Sequence, residues 1–179
     1  MAQKASTVVT SGAVAVAALL LLGGCHKAAS AAADDSAFAE PPEFTAAQKT
    51  QILATFPAPY NTADLDAGEK QFNKCRSCHT ITAGKMNMTG PHLYGVFGRH
   101  AATAEGYTYS DAMKAHNVVW DFDTLDIYLK SPQTVVEGTK MGFMGIQNDT
   151  DRHNLIAYLK AETTPGLADS TGANSAGSQ

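Results

Sequence analysis

With 179 residues, 44% of them hydrophobic and 17% charged, the chain has the composition of a soluble protein with room for about one domain. Its formal net charge is −4, and residues 64–163 hold ten Lys/Arg against twelve Asp/Glu, or −2, which excludes the basic stripe of a nucleic-acid binder. Three cysteines, Cys25, Cys75 and Cys78, exclude an even-numbered disulfide framework and leave each group to its own chemistry.

The chain opens with Lys4, runs apolar from Val8 to Leu22 and closes on Gly23-Gly24-Cys25, the layout of an export leader. Its unbroken apolar stretch, Ala13 to Leu22, is ten residues, short of the roughly 20 that a membrane-spanning helix needs. Small residues ahead of a lone cysteine resemble the lipobox of bacterial lipoproteins, in which Cys25 becomes the diacylated first residue of the mature protein. Ordinary cleavage within 28–33, or retention of the leader as an anchor, are the alternatives. All three export the remainder, and lipidation holds it at the periplasmic face of a bacterial membrane.

From 25 to 63 the chain is Ala- and Pro-rich and reads as a tether, too poor in large apolar groups over 26–42 to offset the entropy of ordering. Within it, Thr45 and Gln48 fit a capping box, and Ile52, Leu53 and Phe56 follow at helical spacing before Pro57 and Pro59. These signals predict a short helix near 45–56 that packs on the domain. A helix carrying Gly68 and Phe72, a second over about 123–129, and a third with Leu155, Ile156, Tyr158 and Leu159 behind a polar start at 148–151 complete the expected elements of a domain at 64–163. Residues 164–179, rich in Ser, Gly and Ala, predict a disordered tail.

Cys75-Arg76-Ser77-Cys78-His79 is the attachment pattern of a c-type haem. Two thiols three residues apart on one helical turn reach the two vinyl groups of a porphyrin, and the imidazole that follows points at the iron. A thioredoxin-type redox pair needs a preceding strand, whereas 67–74 reads as helix. Structural zinc needs four ligands, and His92, His100 and His116 are scattered and unpaired.

From Asp66 to Leu159 the sequence resembles the class I cytochromes c. The resemblance is carried in order by Gly68–Lys74, the 75–79 site, Gly90-Pro91-His92-Leu93-Tyr94-Gly95-Val96-Phe97-Gly98-Arg99, Gly106–Tyr109, Trp120, Tyr128-Leu129, Gly138-Thr139-Lys140-Met141 and Leu155–Leu159. It implies an all-α fold of a few helices wrapped around one covalently attached haem c. The protein is then an electron carrier rather than an enzyme, with no small-molecule substrate. The same resemblance makes Met141 the second axial ligand of the iron beside His79, ahead of Met86, Met88, Met113 and Met144, of which Met144 is the serious competitor. The Pro91 carbonyl then orients His79, Tyr128 and Thr139 bond around the sulfur, and Arg99, Tyr109 and Trp120 serve the haem propionates.

The implied partners are a quinol-oxidising complex (quinol–cytochrome c reductase) and a terminal cytochrome oxidase. A haem enzyme or sensor of peroxidase-like type, or a fixed subunit of a larger complex, are the alternatives. Departures from the family pattern are Met113 and His92 at positions where Asn is frequent, and Gln133, Thr134 and Glu137 where lysines and a proline are usual. Lys74 and Lys140 remain near the expected haem edge, so a weakened positive docking ring is implied, with the tether supplying local concentration instead.

Overall fold

The computed structural model describes residues 43–167, which fall within a unit spanning Ala39–Gln179. The leader, Cys25, the first part of the tether and the end of the tail lie outside the described residues. No described helix is long and apolar enough to cross a membrane.

Thr45 starts α1 (Ala46–Leu53) by accepting from the Gln48 amide, while the Gln48 side chain accepts from the Thr45 amide at 2.8 Å. A 3-10 turn follows at Tyr60–Thr62. Asp64 then caps α2 (Leu65–Phe72), accepting from the amides of Asp66 and Ala67. A long loop leads to α3 (Asp111–Ala115), capped by Ser110, and then to α4 (Phe122–Lys130), which Asp121 and Thr124 close with a second capping box. Pro132 opens the short α5 (Pro132–Val135), and Asn148 caps α6 (Asp149–Thr163). Among the described residues the extended pairing is limited to one antiparallel bridge between His100 and Val119.

α2 and α6 cross at Gly68. A Cβ there would lie 2.2 Å from the Asn154 carbonyl oxygen and 2.6 Å from Tyr158 Cβ, so the two backbones approach as only glycine allows. Phe72 packs on Tyr158 with ring centroids 5.9 Å apart, and the Asn154 side chain accepts from the Asp64 amide at 2.9 Å. These contacts hold α2 and α6 together at their crossing.

The short helix predicted near 45–56 packs on the domain, and the burial extends to Phe44 and Tyr60 in the stretch read as tether. Phe44, Ile52, Phe56 and Tyr60 are buried in the same cluster as Leu65, Leu155 and Ile156. Tyr60 packs on Phe122 at 4.5 Å, meets His153 edge-on at 5.1 Å and donates to the Phe122 carbonyl; Phe56 and Phe97 flank Phe122 at 5.4 and 5.3 Å. Four well-spaced large side chains suffice to dock a stretch that is otherwise small and polar.

Candidate functional site

One cavity of about 420 Å³ lies between the 75–79 segment, the Pro91–Arg99 region, α4, the 139–143 loop and α6. Leu125 with Leu129, and Leu155 with Leu159, supply much of its apolar wall. Each pair is spaced by one helical turn, so each helix presents a stripe to the cavity.

The attachment segment continues helical turns out of α2. Cys75 and Arg76 amides donate to the Phe72 carbonyl, and the Cys78 and His79 amides to that of Cys75. This winding brings both thiols and His79 to the cavity wall, with the cysteines unpaired. Burial pushes the Cys75 thiol up to about 11, against the pull of Lys74, so it is held in its neutral form.

His79 Nδ1 lies 2.7 Å from the Pro91 carbonyl oxygen. A carbonyl only accepts, so Nδ1 carries the proton and Nε2 keeps its lone pair for a metal. Burial also lowers the His79 pKa, with the Pro91 bond opposing, which favours the neutral imidazole that metals bind. Gly90 makes room for the ring: a Cβ at that position would fall 2.4 Å from His79 Cε1.

Met141 reaches the same cavity from the loop between α5 and α6. Its sulfur accepts from the Tyr128 hydroxyl at 3.5 Å; that hydroxyl lies 3.3 Å from Thr139 Oγ1, which in turn accepts from the Met141 amide. Burial raises the Tyr128 pKa and keeps the phenol a donor. Gln133, at a position where the resemblance implies lysine, instead donates its side-chain amide to the Met141 carbonyl. Met144 is 88% exposed and does not line the cavity, and Met86 and Met88 are exposed as well.

Arg99 lies half-buried on the wall, its guanidinium donating to the carbonyls of His92 at 2.9 Å and Tyr94 at 3.3 Å. No carboxylate among the described residues pairs with it, and burial lowers its pKa. Tyr109 and Trp120 share this wall, Trp120 packing on Tyr128 at 5.1 Å, and Lys74 and Lys140 complete it. Every predicted site residue among those described, namely Cys75, Cys78, His79, Pro91, Arg99, Tyr109, Trp120, Tyr128, Thr139 and Met141, lines this cavity. Cys25 lies outside the described residues.

Met113, one of the departures from the family pattern, is buried against the cavity, and Tyr107 of the Gly106–Tyr109 segment lies beside Tyr109 at 4.7 Å with its hydroxyl on the Thr89 carbonyl.

This donor set suits one flat apolar macrocycle bearing two carboxylates. Two thiols stand at the attachment spacing, an imidazole and a thioether offer a nitrogen and a sulfur, and an unpaired guanidinium offers a counter-charge. A structural zinc site fails the same test, since among the described residues no group of three or more His, Cys, Asp or Glu is placed to hold a metal ion.

The cytochrome c family model matches residues 65–162, more than half of the chain. The chain belongs to the cytochrome c family. These proteins are electron carriers with one covalently attached haem c, not enzymes. This cytochrome c is 56% identical over 99 residues to a cytochrome c-type cyt cy of Rhodobacter capsulatus, covering 55% of the chain and 49% of that relative, so the match spans about half of the longer protein. It is 50% identical over 96 residues to cytochrome c2 of Rhodoblastus acidophilus, covering 54% of the chain and 90% of the relative. With cytochrome c of Kluyveromyces lactis it shares 42% over 104 residues, or 58% and 94% of the two chains. The all-α class I fold expected from the sequence is the one observed.

Proposed function

We propose that this cytochrome c is a membrane-tethered single-electron carrier of a respiratory chain, passing electrons from a quinol-oxidising complex to a terminal oxidase. Cys75 and Cys78 would hold the haem covalently through their sulfurs, and His79 and Met141 would offer its iron a nitrogen and a sulfur. The observation that carries this reading is the convergence of the His79–Pro91 and Met141–Tyr128 hydrogen bonds on one cavity that also contains both thiols.

When bound, haem c supplies a one-electron couple, and a His/Met pair raises its potential and leaves no open coordination position. The chain's own residues do the rest. Pro91 fixes the tautomer and direction of the His79 ring. Tyr128, braced by Thr139, holds the Met141 sulfur in place and draws electron density from it. Arg99 offsets propionate charge, and Tyr109 and Trp120 close that side against water. Leu125, Leu129, Leu155 and Leu159 keep the remaining walls dry, which limits reorganisation on electron transfer.

Lipidation at Cys25 supplies the tether, and the leader-like start of the chain together with its likeness to bacterial c-type cytochromes supports a periplasmic placement. Local concentration at the membrane then offsets a modest docking charge.

A redox titration with difference spectra on the holoprotein tests the site. The oxidised protein is expected to show the sulfur-to-iron charge-transfer band, to lose it in Met141→Ala and to keep it in Met144→Ala. Rapid carbon monoxide binding by the reduced wild type overturns the carrier reading. For the anchor, a Cys25→Ser variant that still fractionates with membranes after export overturns lipidation.

A further inference from the structure

The loop that carries Met141 is held at its far end by a buried charge. After Met141 it turns back through Gly145 and Ile146 to Asn148, which caps α6. This return arm is fastened to the last turn of α4. The Ile146 amide donates to the Leu129 carbonyl at 2.9 Å, and the Gln147 side chain to the Lys130 carbonyl at 2.7 Å. At Gly145, with φ +89°, a Cβ would lie 2.1 Å from that same Lys130 oxygen, so the arm lies directly on the helix end.

Behind the arm sits Arg152 of α6, only 2% exposed. Its Nη1 donates to the Ile146 carbonyl at 2.8 Å, and its Nε and Nη2 grip both oxygens of Asp126 on α4 at 2.8 and 3.1 Å. Nη2 also reaches Asp149 at 2.8 Å. Asp126 stands two residues before Tyr128, whose hydroxyl meets the Met141 sulfur. One guanidinium therefore joins three parts: α6, the α4 turn that presents Tyr128, and the arm of the loop that presents Met141.

A buried ion pair is a poor source of stability, because well-packed apolar replacements are often as stable or more so. Its strength is direction. The planar fork fixes two carboxylate oxygens and a backbone carbonyl at once, and a lysine ammonium lacks that geometry.

We propose that Arg152 is a positioning residue for Met141, fixing the return arm of the ligand loop against α4 so that the thioether stays at the Tyr128 hydroxyl. This inference rests on Met141 being the second axial ligand. With the arm loosened, the loop opens more often and an external ligand replaces the sulfur more easily.

The test compares the holoprotein forms of wild type, Arg152→Lys, Ile52→Ala and Met141→Ala. The readouts are imidazole affinity of the oxidised protein, the charge-transfer band, amide exchange at Ile146 and the denaturant midpoint. Arg152→Lys is expected to keep the band, to bind imidazole at least about tenfold more tightly, and to speed Ile146 exchange by a similar factor relative to α6. Ile52, fully buried on α1 and absent from the cavity wall, serves as the control for general weakening. Its truncation lowers the midpoint and leaves imidazole affinity unchanged.

The proposal is overturned if Arg152→Lys binds imidazole within about twofold of wild type, or if Ile52→Ala raises the affinity as much for the same loss of midpoint. Should the lysine variant not fold, Asp126→Asn carries the same expectation and the same refutation. A wild-type band that survives Met141→Ala overturns the ligand assignment instead, so the two failures are distinct.

Discussion

Gly68→Ala sets two effects of known sign against each other. In a helix interior, Ala is favoured over Gly by about 1 kcal/mol, so propensity alone predicts a more stable protein. Packing opposes it. The added Cβ would sit 2.2 Å from the Asn154 carbonyl oxygen and 2.6 Å from Tyr158 Cβ, and neither neighbour is the free end of a side chain. Carbon atoms pack at about 3.5–4.0 Å, so α6 must retreat from α2 by roughly 1 Å, a gap that forfeits a quarter to a half of each dispersion contact across the crossing. The 2.9 Å bond from the Asp64 amide to the Asn154 side chain stretches with it, and the Phe72–Tyr158 pair parts.

Overpacking of this kind costs about 1–3 kcal/mol, and more where backbone must move. With about 3 kcal/mol lost and about 1 gained, the net destabilisation is about 2 kcal/mol. With a urea m-value of about 1–3 kcal/mol/M the midpoint falls by about 1 M, read by far-ultraviolet circular dichroism of the holoprotein. A Gly68→Ala midpoint at or above wild type refutes the argument that close approach dominates at this crossing.

Three further outcomes follow from the same contacts. Burial, and secondarily Glu69, pushes the Glu162 carboxyl up to about 7 while Lys49 opposes. The folded protein thus binds an extra proton between the ordinary value of 4.5 and about 7, and stability falls as pH rises through that window. Glu162→Gln should accordingly raise the denaturation midpoint at about pH 8 and leave it unchanged at about pH 4; equal gains at both values would contradict this. Tyr128→Phe keeps the ring on Trp120 but removes the donor to the Met141 sulfur. The sulfur becomes a stronger donor to ferric iron, so the reduction potential should fall by about 20–40 mV, equivalent to about 0.5–1 kcal/mol, in a spectroelectrochemical titration. Gly90→Ala drives a methyl into the His79 ring, and the visible spectrum of the purified protein should show lost or heterogeneous haem binding.

The parts of the fold that showed in the sequence are those whose signals are local. The capping box at Thr45 and the polar start at 148–151 mark real helix starts, and the Leu155/Leu159 spacing marks the face that reaches the cavity. The residues expected around His79 and Met141 came from the ordered motifs of the family resemblance, since the contacts that brace them, His79 to Pro91 and Tyr128 to Met141, span a dozen positions or more and leave no local signal. What escaped depends on pairs far apart in the chain. Arg152 reads as one more charge in a polar helix start until folding brings Asp126 and the Ile146 carbonyl to it. Tyr60 looks like a residue of a tether because its partner, Phe122, lies about sixty positions on.

Tyr60 and its neighbours also separate two boundaries that are easily taken as one. The family-model match begins at residue 65, but among the described residues the hydrophobic interior begins at Phe44. A fragment cut where that match starts would leave Phe122 without the Tyr60 ring and His153 of α6 without its edge-on partner. The matched stretch and the packed stretch differ by at least one short helix and a turn, so a potential or affinity measured on the shorter piece describes a molecule with one wall removed.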